Sequence, residues 1–214
     1  MRILLHRLYG IRSSVVFDVD GVARRVGEAL VGYEDRPASY DAMRRSDTVH
    51  FVKTHWQRDA LVDRGDRAIC LMRDGRDALV SWARQRCEID PPQYRSVLQG
   101  MIGVPSATGT GSWGRNVLSW SGELPAQTVQ IRYEELIAHP VAVARHAVDA
   151  VAPHLSSNGD PEIPSFEELQ KIDPLFFRRG IVGSHRDELP EDLEELFWSR
   201  GENREAMELL GYAR

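Results

Sequence analysis

The chain has 214 residues, with 32 Asp and Glu against 27 Lys and Arg and a net charge of −5. That length supports one well-buried domain, and the acidic balance argues against a nucleic-acid binder, which is usually basic. No apolar run approaches the roughly 20 residues that span a bilayer, and the start of the chain lacks the length and small-residue cleavage site of a secretory signal. Cys70 and Cys87 carry no metal-site or redox spacing. Two unpaired thiols suit a reducing cytoplasm, the expected location. Of the 27 basic residues only Lys53 and Lys171 are lysines. Arg does not replace Lys where a compact point charge is needed, which draws attention to both.

The chain opens on "MRILLHRLYG". Ile3, Leu4, Leu5 and Leu8 fit one face of an amphipathic helix, and Gly10 suits its end. No Ser, Thr, Asp or Asn stands ahead of it as an N-cap. "TVHFVKT" (48–54), "RAICLMR" (67–73) and "QTVQIRY" (127–133) are apolar runs of strand type, each leading into a helical pattern. The alternation predicts an α/β protein, one domain over 1–214, with a mostly parallel sheet and helices on both faces. Ligands of such sheets bind at the carboxyl ends of strands. The stretch 91–112 reads as a short helix and then a Gly/Ser/Thr loop, and 153–165 as an irregular connection. "PEDLEELFWSR" and "NREAMELLGY" close the chain as amphipathic helices.

Three strand ends and loops carry chemistry. "KTHW" places Lys53 and His55 two apart, on one side of a continued strand. That sets a cation beside a general base; the plainer reading is a strand-end His with a solvated Lys. In "RDGRDALVSWARQ", Arg73 closes a strand and a helix runs from Asp77 with Ser81 in its first turns. An Arg at a strand end and a hydroxyl near a helix start can hold a phosphate together. The alternative is that Asp74, Arg76 and Asp77 form surface ion pairs around a cap. In "FFRRGIVGSHRDEL", Arg178, Arg179, Gly180 and Gly183 suit an anion-binding loop, or else a basic turn between helices. Together they predict a small ligand with several anionic groups and a base beside it.

In order and spacing these segments, with "YEEL" (133–136), "SFEEL" (165–169) and the C-terminal helices, resemble sulfotransferases that use 3′-phosphoadenosine 5′-phosphosulfate (PAPS), bacterial members included. The match runs from about Arg2 to Tyr212. The resemblance implies a P-loop-NTPase-like sheet and transfer of a sulfuryl group from PAPS to an acceptor hydroxyl. It implies that His55 is the general base and that Lys53 steadies the transferring group. Arg73 and Ser81 would hold the 3′-phosphate, with Arg178, Arg179 and Gly180 closing over it; the second basic residue of that loop is commonly Lys in the family. Tyr133 would contact the adenine and Phe166 would pack near it. Sulfuryl transfer resembles phosphoryl transfer in resting on positioning and charge, and no metal cofactor is expected. The family's loop of the "PKSGTTW" kind, which cradles the 5′-phosphosulfate, has no counterpart here. The expectation is that Met1 is an internal methionine, with a strand and that loop preceding it.

Two other readings compete. Without that loop, the chain could be a non-catalytic nucleotide-binding relative. "VVFDVDGV" (15–22) also resembles the first motif of haloacid-dehalogenase-type phosphatases, in which Asp18 would be the nucleophile and Asp20 the acid/base. Arg73 and the long remainder after Asp77 fit that family poorly, which leaves "DVDG" as a surface turn. The acceptor is open among a small metabolite, a glycan and a lipid head group. Trp56, Tyr94, Trp113 and Trp120 are candidates for its stacking surface, or else core. Neither a nucleic-acid partner nor an integral membrane association is expected.

Overall fold

Helices and short parallel strands make up the computed structural model, which describes residues 1–36, 39–58, 66–87, 91–105, 109–121 and 128–214. In chain order the elements are α1 (Arg2–Tyr9), β1 (Ser13–Val15), α2 (Gly21–Val26), α3 (Glu28–Val31), α4 (Tyr40–Arg44), β2 (Phe51–Lys53), β3 (Ala68–Met72) and α5 (Gly75–Arg86). There follow α6 (Tyr94–Gly103), α7 (Trp113–Ser119), β4 (Thr128–Arg132), α8 (Tyr133–Ala138), α9 (Pro140–Val151), α10 (Phe166–Ile172), α11 (His185–Glu188), α12 (Glu191–Ser199) and α13 (Gly201–Leu209). The three apolar runs supply β2, β3 and β4. The chain divides into two compact units, Met1–His55 with Ala138–Phe177 and Trp56–Ile137 with Arg178–Arg214.

In the first unit β1 and β2 pair in parallel, Ser13 opposite Phe51 and Val15 opposite Lys53. Helix α1 buries Leu4, Leu5 and Leu8, has no side-chain N-cap, and ends at Gly10 with φ 67. Its apolar face packs on α3 and α9. A second cluster joins Ala23, Val26 and Val31, with Phe176 and Phe177 against it. The "DVDG" stretch is more than a surface turn. Asp18 is exposed, but Asp20 is only 4% exposed. Asp20 caps α2, accepting from Val22 N and Ala23 N at 3.0 Å each, and its other oxygen takes Arg2 at 2.6 Å. Both oxygens are therefore engaged in structure.

In the second unit β3 and β4 pair in parallel from Ala68–Thr128 to Met72–Arg132. Leu79, Val80, Leu98, Ile102, Leu193, Phe197 and Met207 form its main core. Helices α7 and α13 meet at Gly114, where an added Cβ would lie 2.5 Å from the Glu202 carbonyl. Helix α5 starts two residues earlier than the sequence pattern indicates: Asp74 is its N-cap, accepting from Arg76 N at 2.9 Å. The acidic groups expected in surface ion pairs around that cap are buried instead. Asp74 pairs with Arg76 at 2.8 Å, and Arg76 also reaches Glu194.

Candidate active site

In the first unit, Lys53 ends β2, and its carbonyl accepts from Val16 N at 3.1 Å. Parallel pairing with β1 fixes that strand end, so Lys53 and His55 leave the sheet at its carboxyl edge. Burial lowers the Lys53 pKa, with Asp20 acting the other way. The His55 and Phe17 rings stack with centroids 6.0 Å apart at 29°. Desolvation, and then the Lys53 ammonium, lower the His55 pKa to about 4. The residue is exposed at the strand end, and the ring is neutral at pH 7. Phe166 is the first residue of α10, whose N-cap Ser165 forms a capping box with Glu168. The Phe166 side chain is exposed, and no ring contact joins it to another described residue.

In the second unit, the Arg73 guanidinium lies 4.2 Å from the Tyr133 ring centroid. That is a cation–π contact between two residues that the family resemblance assigns to one ligand. Arg73 Nη2 also donates to the Ile181 carbonyl at 2.9 Å and to Asp77 at 3.3 Å. Burial raises the Tyr133 pKa, so its phenol stays protonated. Arg178 and Arg179 both donate to Glu188 Oε1 at 2.8 Å, and Arg84 to Oε2 at 2.9 Å. Arg179 also reaches Asp187 at 3.0 Å. Gly180 and Gly183 have φ of 60 and 80, the left-handed region that favours glycine. Ser81 is exposed on α5 and hydrogen-bonds to no other described residue through its hydroxyl.

Thus the structure brings Arg73, Tyr133 and the loop after Gly180 together, and joins Arg178 to Arg179. The two carboxylates that do the joining are not among the predicted site residues, although Asp77 is expected in an ion pair. Asp77 stands four residues after Arg73, one helical turn, which is a usable signal. Glu188 follows the two arginines by ten and nine residues, and no spacing rule singles it out. Three of the four aromatic candidates are core residues. Tyr94 is buried, donates to the Glu188 carbonyl at 2.8 Å and carries Arg84 over its ring. Trp113 packs on Phe197 with centroids 5.7 Å apart, and Trp120 packs beside Cys70 and Met72 while donating to the Trp56 carbonyl. Trp56 is half-buried, its ring beside Gly109.

An anionic nucleotide can be tested against these residues. Arg73 Nε is buried and has no hydrogen-bond partner among the described residues. A guanidinium with an unspent inward donor and an aromatic ring against its face suits a phosphate beside a purine. Among the described residues no group of three His, Cys, Asp or Glu is placed to hold a metal, and no helix is long and apolar enough to cross a membrane.

A sulfotransferase domain model matches residues 5–150. Among solved structures, mouse sulfotransferase SULT7A1 complexed with PAP aligns with a TM-score of 0.55 at 18% sequence identity, over 81% of this chain and 75% of that one. The likeness is one of fold. No curated protein matches the chain by sequence.

Proposed function

The chain belongs to the sulfotransferase domain family and has its α/β fold; from that premise we propose that it moves a sulfuryl group from PAPS to an acceptor hydroxyl, releasing a sulfate ester and 3′,5′-ADP. The observation that carries this reading is the end of β2, where a neutral imidazole and an ammonium stand two residues apart. His55, neutral at pH 7, takes the acceptor's proton as the oxygen attacks. Lys53 places a compact positive charge for the anionic group in flight. Such a base contributes about 10²–10⁴-fold. PAPS supplies the pre-formed sulfuryl group, and the remaining catalysis is positioning and charge.

In the second unit Arg73 and Ser81 take the 3′-phosphate, and Arg178, Arg179 and Gly180 close over it. Tyr133 packs toward the adenine; Phe166, on α10 of the first unit, is the other residue that the family resemblance assigns to that base. The buried, unpartnered Nε of Arg73 supports this assignment.

The test has two arms. Thermal unfolding compared in buffer, ATP and 3′,5′-ADP is expected to show stabilisation by 3′,5′-ADP alone. His55→Ala is expected to abolish turnover with PAPS while 3′,5′-ADP affinity stays nearly intact, and unchanged turnover would remove His55 from its role. Binding of 3′,5′-ADP without any turnover would point instead to the second reading, a nucleotide-binding relative without catalysis.

A further inference from the structure

We propose that Asp77 is a positioning residue for the 3′-phosphate half-site, tying Arg73 and the loop after Gly180 to the first turn of α5. This rests on the donor reading above. Asp77 is fully buried. Its Oδ1 accepts from Ser184 Oγ at 3.2 Å and His185 N at 2.8 Å, and lies 2.8 Å from His185 Nδ1. Its Oδ2 accepts from Gly183 N at 2.8 Å and Arg73 Nη2 at 3.3 Å. A carboxylate away from water is held in its charged form only by partners of this kind. Those hydrogen bonds and the Arg73 charge outweigh desolvation and depress the Asp77 pKa.

These contacts do more than stabilise a carboxylate. Arg73 donates to Asp77 and to the Ile181 carbonyl with the same nitrogen, while Asp77 accepts from Gly183. Arg73 and residues 181–185 are therefore cross-tied through one side chain. The φ of 80 at Gly183 belongs to the turn that turns its N–H onto Asp77. Ser81 stands one turn beyond Asp77 on the same face of α5. The strand-end arginine and the glycine loop, two separate segments in the sequence, thus share one anchor. Asp77 touches no ligand in this scheme; it sets where the groups that do will stand.

The test is Asp77→Asn, read by calorimetric titration with 3′,5′-ADP. The amide keeps the volume and one acceptor oxygen but loses the charge, and its NH₂ opposes N–H donors. Loss of hydrogen bonds to a charged group predicts about tenfold weaker 3′,5′-ADP binding or more. A double-mutant cycle with Arg179→Ala separates positioning from general destabilisation. If Asp77 acts through the loop, Arg179→Ala costs clearly less affinity in the Asp77→Asn background than alone. Losses that simply multiply, or an unchanged affinity in folded Asp77→Asn, overturn the proposal. Should Asp77→Asn not fold, Gly183→Ala decides. Its added methyl meets no backbone, but φ 80 strains it, so the N–H is moved off Asp77, and undiminished 3′,5′-ADP affinity again overturns the assignment. If the parent chain does not bind 3′,5′-ADP, the donor reading falls and this one with it. If the parent binds and the variants bind equally well, only this one falls.

Discussion

His55 is the residue whose environment sets the clearest pH expectation. Its pKa is pulled from 6.5 to about 4 by desolvation and the Lys53 ammonium. A general base works in its unprotonated form, so kcat/KM is expected to be flat near neutrality and to fall as pH drops through about 4. The same shift bears on stability. The unfolded chain binds this proton below pH 6.5 and the folded chain resists it until about 4, so stability falls across that window as pH falls. Lys53→Met removes one of the two causes and should move the acid limb upward. An anionic donor opposes the Lys53 charge in the same way, so NMR titration of the His55 ring should give a higher pKa with 3′,5′-ADP bound. An identical pKa with and without nucleotide, and in Lys53→Met, would show that Lys53 does not act on this ring. Lys53 and His55 were legible because a strand end and a two-residue spacing are local features. Glu188 is not legible, because a carboxylate ten and nine residues after its two arginines, and 104 from Arg84, follows no spacing rule; the four-residue spacing of Arg73 and Asp77 is local, but the ties of Asp77 to Gly183 and His185 are not.

At the scale of elements, legibility followed length. Helices α5, α6, α12 and α13 have 9 to 12 residues, and each leaves a helical pattern in the sequence. Strand β1 has three residues, and α2, α3 and α4 have six, four and five. Periodicity needs a window of about 11–18 residues, so such pieces leave no readable pattern. They are set instead by caps and tertiary contacts, and Asp20 shows how. It caps α2 through two backbone N–H groups while pairing with Arg2 from α1. Asp20→Ala should cost about 0.5–2 kcal/mol for the cap alone, and more because Arg2, largely buried, loses its carboxylate partner and keeps only its bonds to Ser13. Asp20→Asn keeps a capping oxygen and should cost less. Urea denaturation of the two variants orders them, and equal stability of Asp20→Ala and the parent would mean that α2 does not depend on its cap. The Arg2 and Asp20 contacts also explain why "DVDG", so like a phosphatase motif in print, serves as a helix start here.

At the scale of the whole molecule, the sequence predicted one domain and the structure divides into two compact units, yet neither unit is a continuous piece of chain. The first takes residues 1–55 and 138–177, the second 56–137 and 178–214. The core of the first pairs α1 with α9, which lies beyond all of β3 and β4; that of the second pairs α5 and α6 with α12. A cut at any one of the three crossings leaves at least one core without its partner helices. Such interleaving favours a single cooperative transition, as a one-domain chain would show. Calorimetry is expected to give one unfolding peak whose calorimetric and van't Hoff enthalpies agree. Ligand should then move that whole peak. Binding to the folded state alone adds about 2.7 kcal/mol when ligand is at 100 times its Kd, and for a chain of this size each kcal/mol is about 2–4 °C in Tm. A rise of about 5–10 °C with 3′,5′-ADP is therefore expected. His55→Ala should keep it and Arg73→Ala should lose most of it. Two resolved peaks, only one of them shifted by nucleotide, would show instead that the units unfold separately despite their shared threading.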